Sequence, residues 1–119
     1  MARFQPGICP YCGVGFVYAS AKKRRSTMPG RADTIDHVYP ITTPIPNGFP
    51  RGSLLNRLRC CYNCNQAKGN THPLRWLTLI NDPTRRQDFA ELLLRLGEAP
   101  KLVTRALEVA NGNPRIPEA

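Results

Sequence analysis

The sequence predicts a small α+β fold, and three observations carry that prediction. Two Cys-x-x-Cys pairs, Cys9/Cys12 and Cys61/Cys64, bracket short extended segments; the middle of the chain is dense in proline; and beyond Gly69 apolar residues recur at helical spacing. At 119 residues the chain has the length of a single domain, with a core small enough to gain from a covalent or metal staple. Its 12 prolines and 9 glycines assign much of it to loops. We divide it into a cysteine-bounded core over 9–72, a helical extension over 73–112, and a tail over 113–119 expected to be disordered.

Residues 5–18 read as a knuckle, a tight turn between two extended pieces, with Gly13 directly after the second cysteine. Residues 19–31 form a polar, basic loop centred on Lys22-Lys23-Arg24-Arg25. Ala32 to Ile41 alternates enough for a strand with Ile35, Val38 and Ile41 as its apolar members. Pro40, Pro44, Pro46 and Pro50 exclude regular structure through most of 40–52. Ser53 to Arg59 returns either as a turn of helix or as an extended segment, with Arg57 and Arg59 alternating with Leu58. A helix capped by Thr71 runs through Leu74, Trp76, Leu77 and Ile80, with Pro73 in its first turn. A second opens at Asp82-Pro83, carries Phe89, Leu92, Leu93 and Leu96 on one face, and closes at Gly97. A third starts at Pro100, presents Leu102, Val103, Ala106, Leu107 and Ala110, and ends at Asn111-Gly112. The leucines of these helices exceed what a small core obviously needs, which offers a face for a homodimer.

Charge narrows the partners. The formal net charge is +9, and it is unevenly spread. Up to His72, ten basic residues face two acids, Asp33 and Asp36, for a balance of +8; from Pro73 onward seven face six, for +1. Such a concentration points to a polyanion, nucleic acid above all, and Lys22, Lys23, Arg24, Arg25, Arg57, Arg59 and Lys68 are the candidate contacts. No run of eighteen apolar residues exists to span a membrane. The N-terminus lacks the pattern of a secretory signal, so a cytoplasmic location is expected.

In that setting paired cysteines signal metal rather than disulfides. Cys9, Cys12, Cys61 and Cys64 suit a closed, structural Zn²⁺ site. Cys60 is the odd thiol; Cys61 preserves the spacing of the first pair and is the preferred ligand. The 48 residues 13–60 are looped out between the pairs and contain Asp36-His37. An imidazole titrates near neutrality and serves as a general base toward water. A carboxylate with an amide oxygen is ligation suited to Mg²⁺ or Mn²⁺. On a strand, adjacent side chains point to opposite faces, so joint action of Asp36 and His37 requires a bend or a strand end.

Thr34-Ile35-Asp36-His37-Val38-Tyr39-Pro40, then Asn56 five residues before Cys61, then Cys64-Asn65-Gln66-Ala67-Lys68-Gly69-Asn70, together resemble the HNH (His-Me finger) endonucleases, in particular their four-cysteine phage and bacterial branch. The resemblance spans about residues 9–80. It implies a ββα-metal core, a hairpin followed by a helix with a catalytic divalent ion between them. By the same resemblance His37 is the general base, Asp36 and Asn65 ligate the Mg²⁺ or Mn²⁺, Asn56 holds the His37 segment, and Lys68 contacts phosphate. The implied activity is hydrolysis of DNA to 5′-phosphate and 3′-hydroxyl ends. The competing readings are a zinc-stapled nucleic-acid-binding module without catalysis and, more weakly, a protein-interaction domain built on the C-terminal helices.

Overall fold

The computed structural model describes residues 4, 6–16, 29–46, 48–50 and 52–112. The basic cluster Lys22–Arg25 and the tail over 113–119 lie outside the described residues. Among those described, two antiparallel strands and four helices form an α+β arrangement in the order β1 (Asp33–His37), β2 (Arg57–Cys61), α1 (Tyr62–Lys68), α2 (Pro73–Leu79), α3 (Pro83–Arg95) and α4 (Pro100–Ala110). No helix among them is long and apolar enough to cross a membrane.

The strands pair with Asp33 opposite Cys61 and His37 opposite Arg57. Residues directly opposite in such a pair share a face, so the hairpin has two chemically distinct sides. Ile35, His37, Arg57 and Arg59 are all exposed on one side. Thr34, Asp36, Leu58 and Cys60 face the other, where α1 packs. The strand is shorter than its sequence pattern suggested: it stops at His37, and the chain bends at Val38-Tyr39, whose side chains are buried. Ile35 and Ile41, expected as apolar members of the strand, are exposed. Ile35 falls on the solvent side by the two-residue period, and Ile41 lies beyond the bend. The return through Ser53–Arg59 combines both expected forms, a 3₁₀ turn at Leu54–Asn56 followed by β2.

The three C-terminal helices use most of the predicted apolar positions, and one cap differs. His72, rather than Thr71, caps α2: its Nδ1 accepts from the Leu74 N–H at 3.1 Å, with Pro73 at the first helical position. Asp82 caps α3 through the Arg85 N–H at 2.9 Å. Phe89, Leu92, Leu93 and Leu96 of the α3 segment are buried, together with Leu77, Trp76, Val103 and Ala106 from α2 and α4. Leu102 remains exposed, so the helical leucines are only partly used in the core.

Two polar ties join the layers. Arg86, almost wholly buried, donates to the carbonyls of Ile80 and Asn81 and to Asn111 Oδ1, holding the α2–α3 turn against the end of α4. Tyr39 donates its hydroxyl to Glu98 at 2.6 Å, linking the bend after β1 to the α3–α4 turn. Since Leu93 is fully buried and Leu94 is exposed, Leu93→Ala should cost about 2–5 kcal/mol in urea unfolding. Leu94→Ala should stay within about 0.5 kcal/mol; equal costs at the two positions would contradict the packing of α3.

Candidate metal centre and the hairpin site

The first knuckle turns on Gly13, whose φ of 84° lies in the left-handed region and whose N–H reaches the Cys9 carbonyl at 2.9 Å. The second turns at the start of α1, where Cys61 is the N-cap and its sulfur accepts from the Cys64 N–H at 3.4 Å. The Cys61 N–H in turn points at Cys9 Sγ, also at 3.4 Å. The sulfurs of Cys9, Cys12, Cys61 and Cys64 lie within 4.8 Å of one another, and Cys12 Sγ is 3.7 Å from Cys61 Sγ. A tetrahedron of about 2.3 Å Zn–S bonds has edges of about 3.8 Å, so the four thiols could hold a metal ion such as zinc.

Packed together, the thiols do not titrate alike. The hydrogen bond with the Cys64 thiol, helped by backbone N–H groups, pulls Cys9 down to about 4 against the effect of its burial. Cys64 is pushed upward chiefly by that same bond with Cys9, and burial lifts Cys61 to about 11. A bound dication removes this division, because its charge favours the thiolate at every ligand. Cys60 stands apart from the cluster. It is fully buried near Thr34, and desolvation raises its thiol to about 12, so it serves the core as a small protonated residue.

The residues expected around a second, catalytic ion are arranged differently. His37 ends β1 on the solvent side of the hairpin, opposite Arg57. Asp36 is its neighbour but faces inward at 4% exposure. Its carboxylate accepts from the Tyr11 hydroxyl at 2.6 Å and from the Lys68 ammonium at 3.2–3.3 Å. Asn65 lies on α1, where its amide donates to Thr34 Oγ1 at 3.0 Å and to the Ile35 carbonyl at 3.3 Å. The side chains of Asp36 and His37 therefore lie on opposite faces of β1, and the bend follows His37 instead of separating the two. Among the described residues, the four cysteines are the one cluster of three or more His, Cys, Asp or Glu side chains able to hold a metal. The expected Mg²⁺ or Mn²⁺ ligation by Asp36 and Asn65 does not fit this arrangement. Freeing the carboxylate would break a buried ion pair, a step that costs about 3–5 kcal/mol when one partner is lost.

Lys68 corrects a second expectation. It is 1% exposed and cannot touch phosphate; its ammonium also donates to the carbonyls of His37 and Val38, each at 3.0 Å. Burial pushes Asp36 up and Lys68 down, and their mutual attraction opposes both shifts. Tyr11 is driven well above its ordinary value, first by burial and then by the Asp36 charge, so it remains a hydroxyl donor. Asn56 is fully buried: its Oδ1 accepts from the Tyr39 N–H at 2.8 Å and its Nδ2 donates to the Tyr39 carbonyl at 3.2 Å. Of the arginines, Arg59 is ion-paired to Asp33 yet half exposed, and Arg57 is exposed beside His37.

Sequence reasoning missed Tyr11 altogether and misjudged Lys68. For Lys68 the sequence held only a partial signal: it stands four residues after Cys64 and three after Asn65, so on a helix that begins at the second knuckle it neighbours both, with nothing to say that this face is covered. Comparison with family profiles, curated proteins and solved structures gives no match to any of them. For the metal centre, we expect Cys61→Ser to abolish retention of zinc after gel filtration, while Cys60→Ser keeps the metal content of the parent chain. Equal loss in both variants would show that the ligand set is wrong.

Proposed function

We propose that this protein is an HNH-type endonuclease hydrolysing DNA phosphodiester bonds, with His37 as the general base. The observation that carries the reading is the solvent face of the hairpin. An exposed imidazole at the end of β1 stands opposite the exposed Arg57, on the half of the chain that holds nearly all the net positive charge. Cβ atoms of directly opposed strand residues lie about 4.5–5.5 Å apart. A phosphate held by Arg57 would therefore come within reach of a water bonded to His37.

The chemistry follows from those two groups. His37 takes a proton from the water as its oxygen attacks phosphorus in line; the bond to the 3′ oxygen breaks, and that oxygen leaves and takes a proton from solvent to become a hydroxyl, while His37 returns its own proton to solvent. The products are a 5′-phosphate and a 3′-hydroxyl. Arg57 offers a fixed positive charge and paired N–H donors to the non-bridging oxygens, where negative charge grows. Asn56 supports the role of His37 by bonding the backbone of the bend that follows it. A divalent ion, which this resemblance implies, would add Lewis-acid stabilisation of the phosphate. Cys9, Cys12, Cys61 and Cys64 would fill the coordination of a bound zinc, which would then play a structural part.

The engaged carboxylate of Asp36 favours a second reading, a zinc-stapled module that binds nucleic acid without cutting it. One experiment separates them: supercoiled plasmid incubated with the parent chain or His37→Ala, in Mg²⁺, Mn²⁺ or EDTA. We expect nicking by the parent chain and a loss of at least about 100-fold in the variant, with DNA binding and zinc content unchanged. Nicking by His37→Ala at the parent rate would remove the proposed mechanism. Binding without nicking in any metal would favour the non-catalytic module.

A further inference from the structure

A buried polar cluster of Tyr11, Asp36 and Lys68 has no chemical step in the reaction just proposed. Tyr11 comes from between the cysteines of the first knuckle, Asp36 from the inner face of β1, and Lys68 from the last turn of α1, the helix that starts at the second knuckle. An ammonium has three N–H donors, and the three partners of Lys68 are the Asp36 carboxylate and the carbonyls of His37 and Val38.

Those carbonyls belong to two consecutive peptide groups, and each group is gripped again at its other pole. In the His37–Val38 peptide, Lys68 holds the C=O at 3.0 Å while the N–H bonds the Asn56 carbonyl at 2.8 Å. In the Val38–Tyr39 peptide, Lys68 holds the C=O at 3.0 Å and Asn56 Oδ1 takes the N–H at 2.8 Å. A planar peptide held at both poles cannot rotate about its flanking bonds. That fixes ψ of His37, and with it the backbone from which the imidazole projects. A lysine buried for this purpose needs an orienting anion, which Asp36 supplies, and Asp36 is itself aimed by the hydroxyl of Tyr11.

We propose that Lys68, oriented by Asp36 and Tyr11, is a positioning residue for His37, and that Asp36 serves this clamp instead of ligating an ion. The inference rests on the reading of His37 as the general base, and it gives the four-cysteine centre a route to the hairpin through Tyr11. A metal bound by the four cysteines would hold the knuckle that carries Tyr11. The clamp then transmits that order to the bend after His37 with no contact between zinc and substrate.

The test compares Tyr11→Phe, which keeps the ring, with Asp36→Asn and with the double variant Asp36→Leu/Lys68→Met, which removes the ion pair as a unit. Amide hydrogen exchange at Val38 and Tyr39 should accelerate about tenfold or more in each, with α3 and α4 amides and zinc content at parent levels. Plasmid nicking should lose about 10–100-fold in kcat with KM little changed, and the Mg²⁺ or Mn²⁺ concentration for half-maximal rate should not move. Parent-like exchange and nicking in Tyr11→Phe and in the double variant would overturn the clamp. So would a raised metal requirement confined to the two variants that alter Asp36, which would make Asp36 an ion ligand. Failure of the parent chain itself to nick DNA would sink the nuclease reading instead, and the exchange rates would still decide whether Lys68 locks the bend.

Discussion

Convergence of four thiols into one cluster that could hold a metal ion is the constraint on which the rest of the structure depends. The cluster joins residues 9–12 to residues 61–64 and returns a 48-residue excursion to its starting point. A structural Zn²⁺ contributes about 10–16 kcal/mol to peptides that fold around it, comparable with the about 5–15 kcal/mol net stability of a whole domain. The thiols are built into the core. Two cysteines of the cluster are fully buried, and backbone N–H groups of the second knuckle are committed to sulfur. In the packed cluster, Cys9 is pulled down and Cys64 pushed up; a bound cation would join the first knuckle to the start of α1.

That joint decides what the hairpin can show to solvent. Because α1 leaves the second knuckle against the inner face of β1, Asp36 and Thr34 are covered, and His37 and Arg57 are left outside. The strand period of two allows no other outcome once one neighbour is committed. Burying Asp36 then required a cation beside it, and Lys68, one helical turn beyond Asn65, supplies it from within the chain. A buried ion pair of this kind contributes little net stability. In the clamp we propose, its effect lies in geometry: each ammonium proton has a partner, and two of those partners are carbonyls of the bend after His37.

Much of the fold was legible in the sequence because its signals are local. Cys-x-x-Cys spacing, proline at the first helical position of α2, α3 and α4, and the Phe89–Leu92–Leu93–Leu96 periodicity each specify an element from within a few residues. The choice of Cys61 over Cys60 was also readable, since only Cys61 repeats the first spacing. What escaped were partners set by tertiary contact. Lys68 reads as a surface lysine in any window of the chain, and only the docking of α1 on β1 buries it. Tyr11 gives no signal as a spacer between ligands until Asp36 arrives beneath it. Ile35 and Ile41 misled for the complementary reason: hydrophobicity marked a strand but could not say which side of it was covered. For the hairpin site, the strand period already set Asp36 and His37 on opposite faces; what the sequence could not say is that the bend comes after His37 and leaves them apart.

Tyr11 also explains why the helical extension and the cysteine-bounded core make one unit. Its ring packs edge-on against Trp76 of α2 and Phe89 of α3, each with centroids 5.4 Å apart, while its hydroxyl bonds Asp36. Aromatic contacts of this geometry contribute about 0.5–1.5 kcal/mol beyond the area they bury, and the hydroxyl would be costly to leave unpaired at such depth. One side chain thus binds the knuckle to the extension through its faces and to the hairpin through its tip. Tyr39 repeats the device from the opposite side, reaching Glu98 at the turn before α4. With both ends of the bend after His37 tied into the helical layer in this way, the extension acts as the rigid base against which the hairpin site is held.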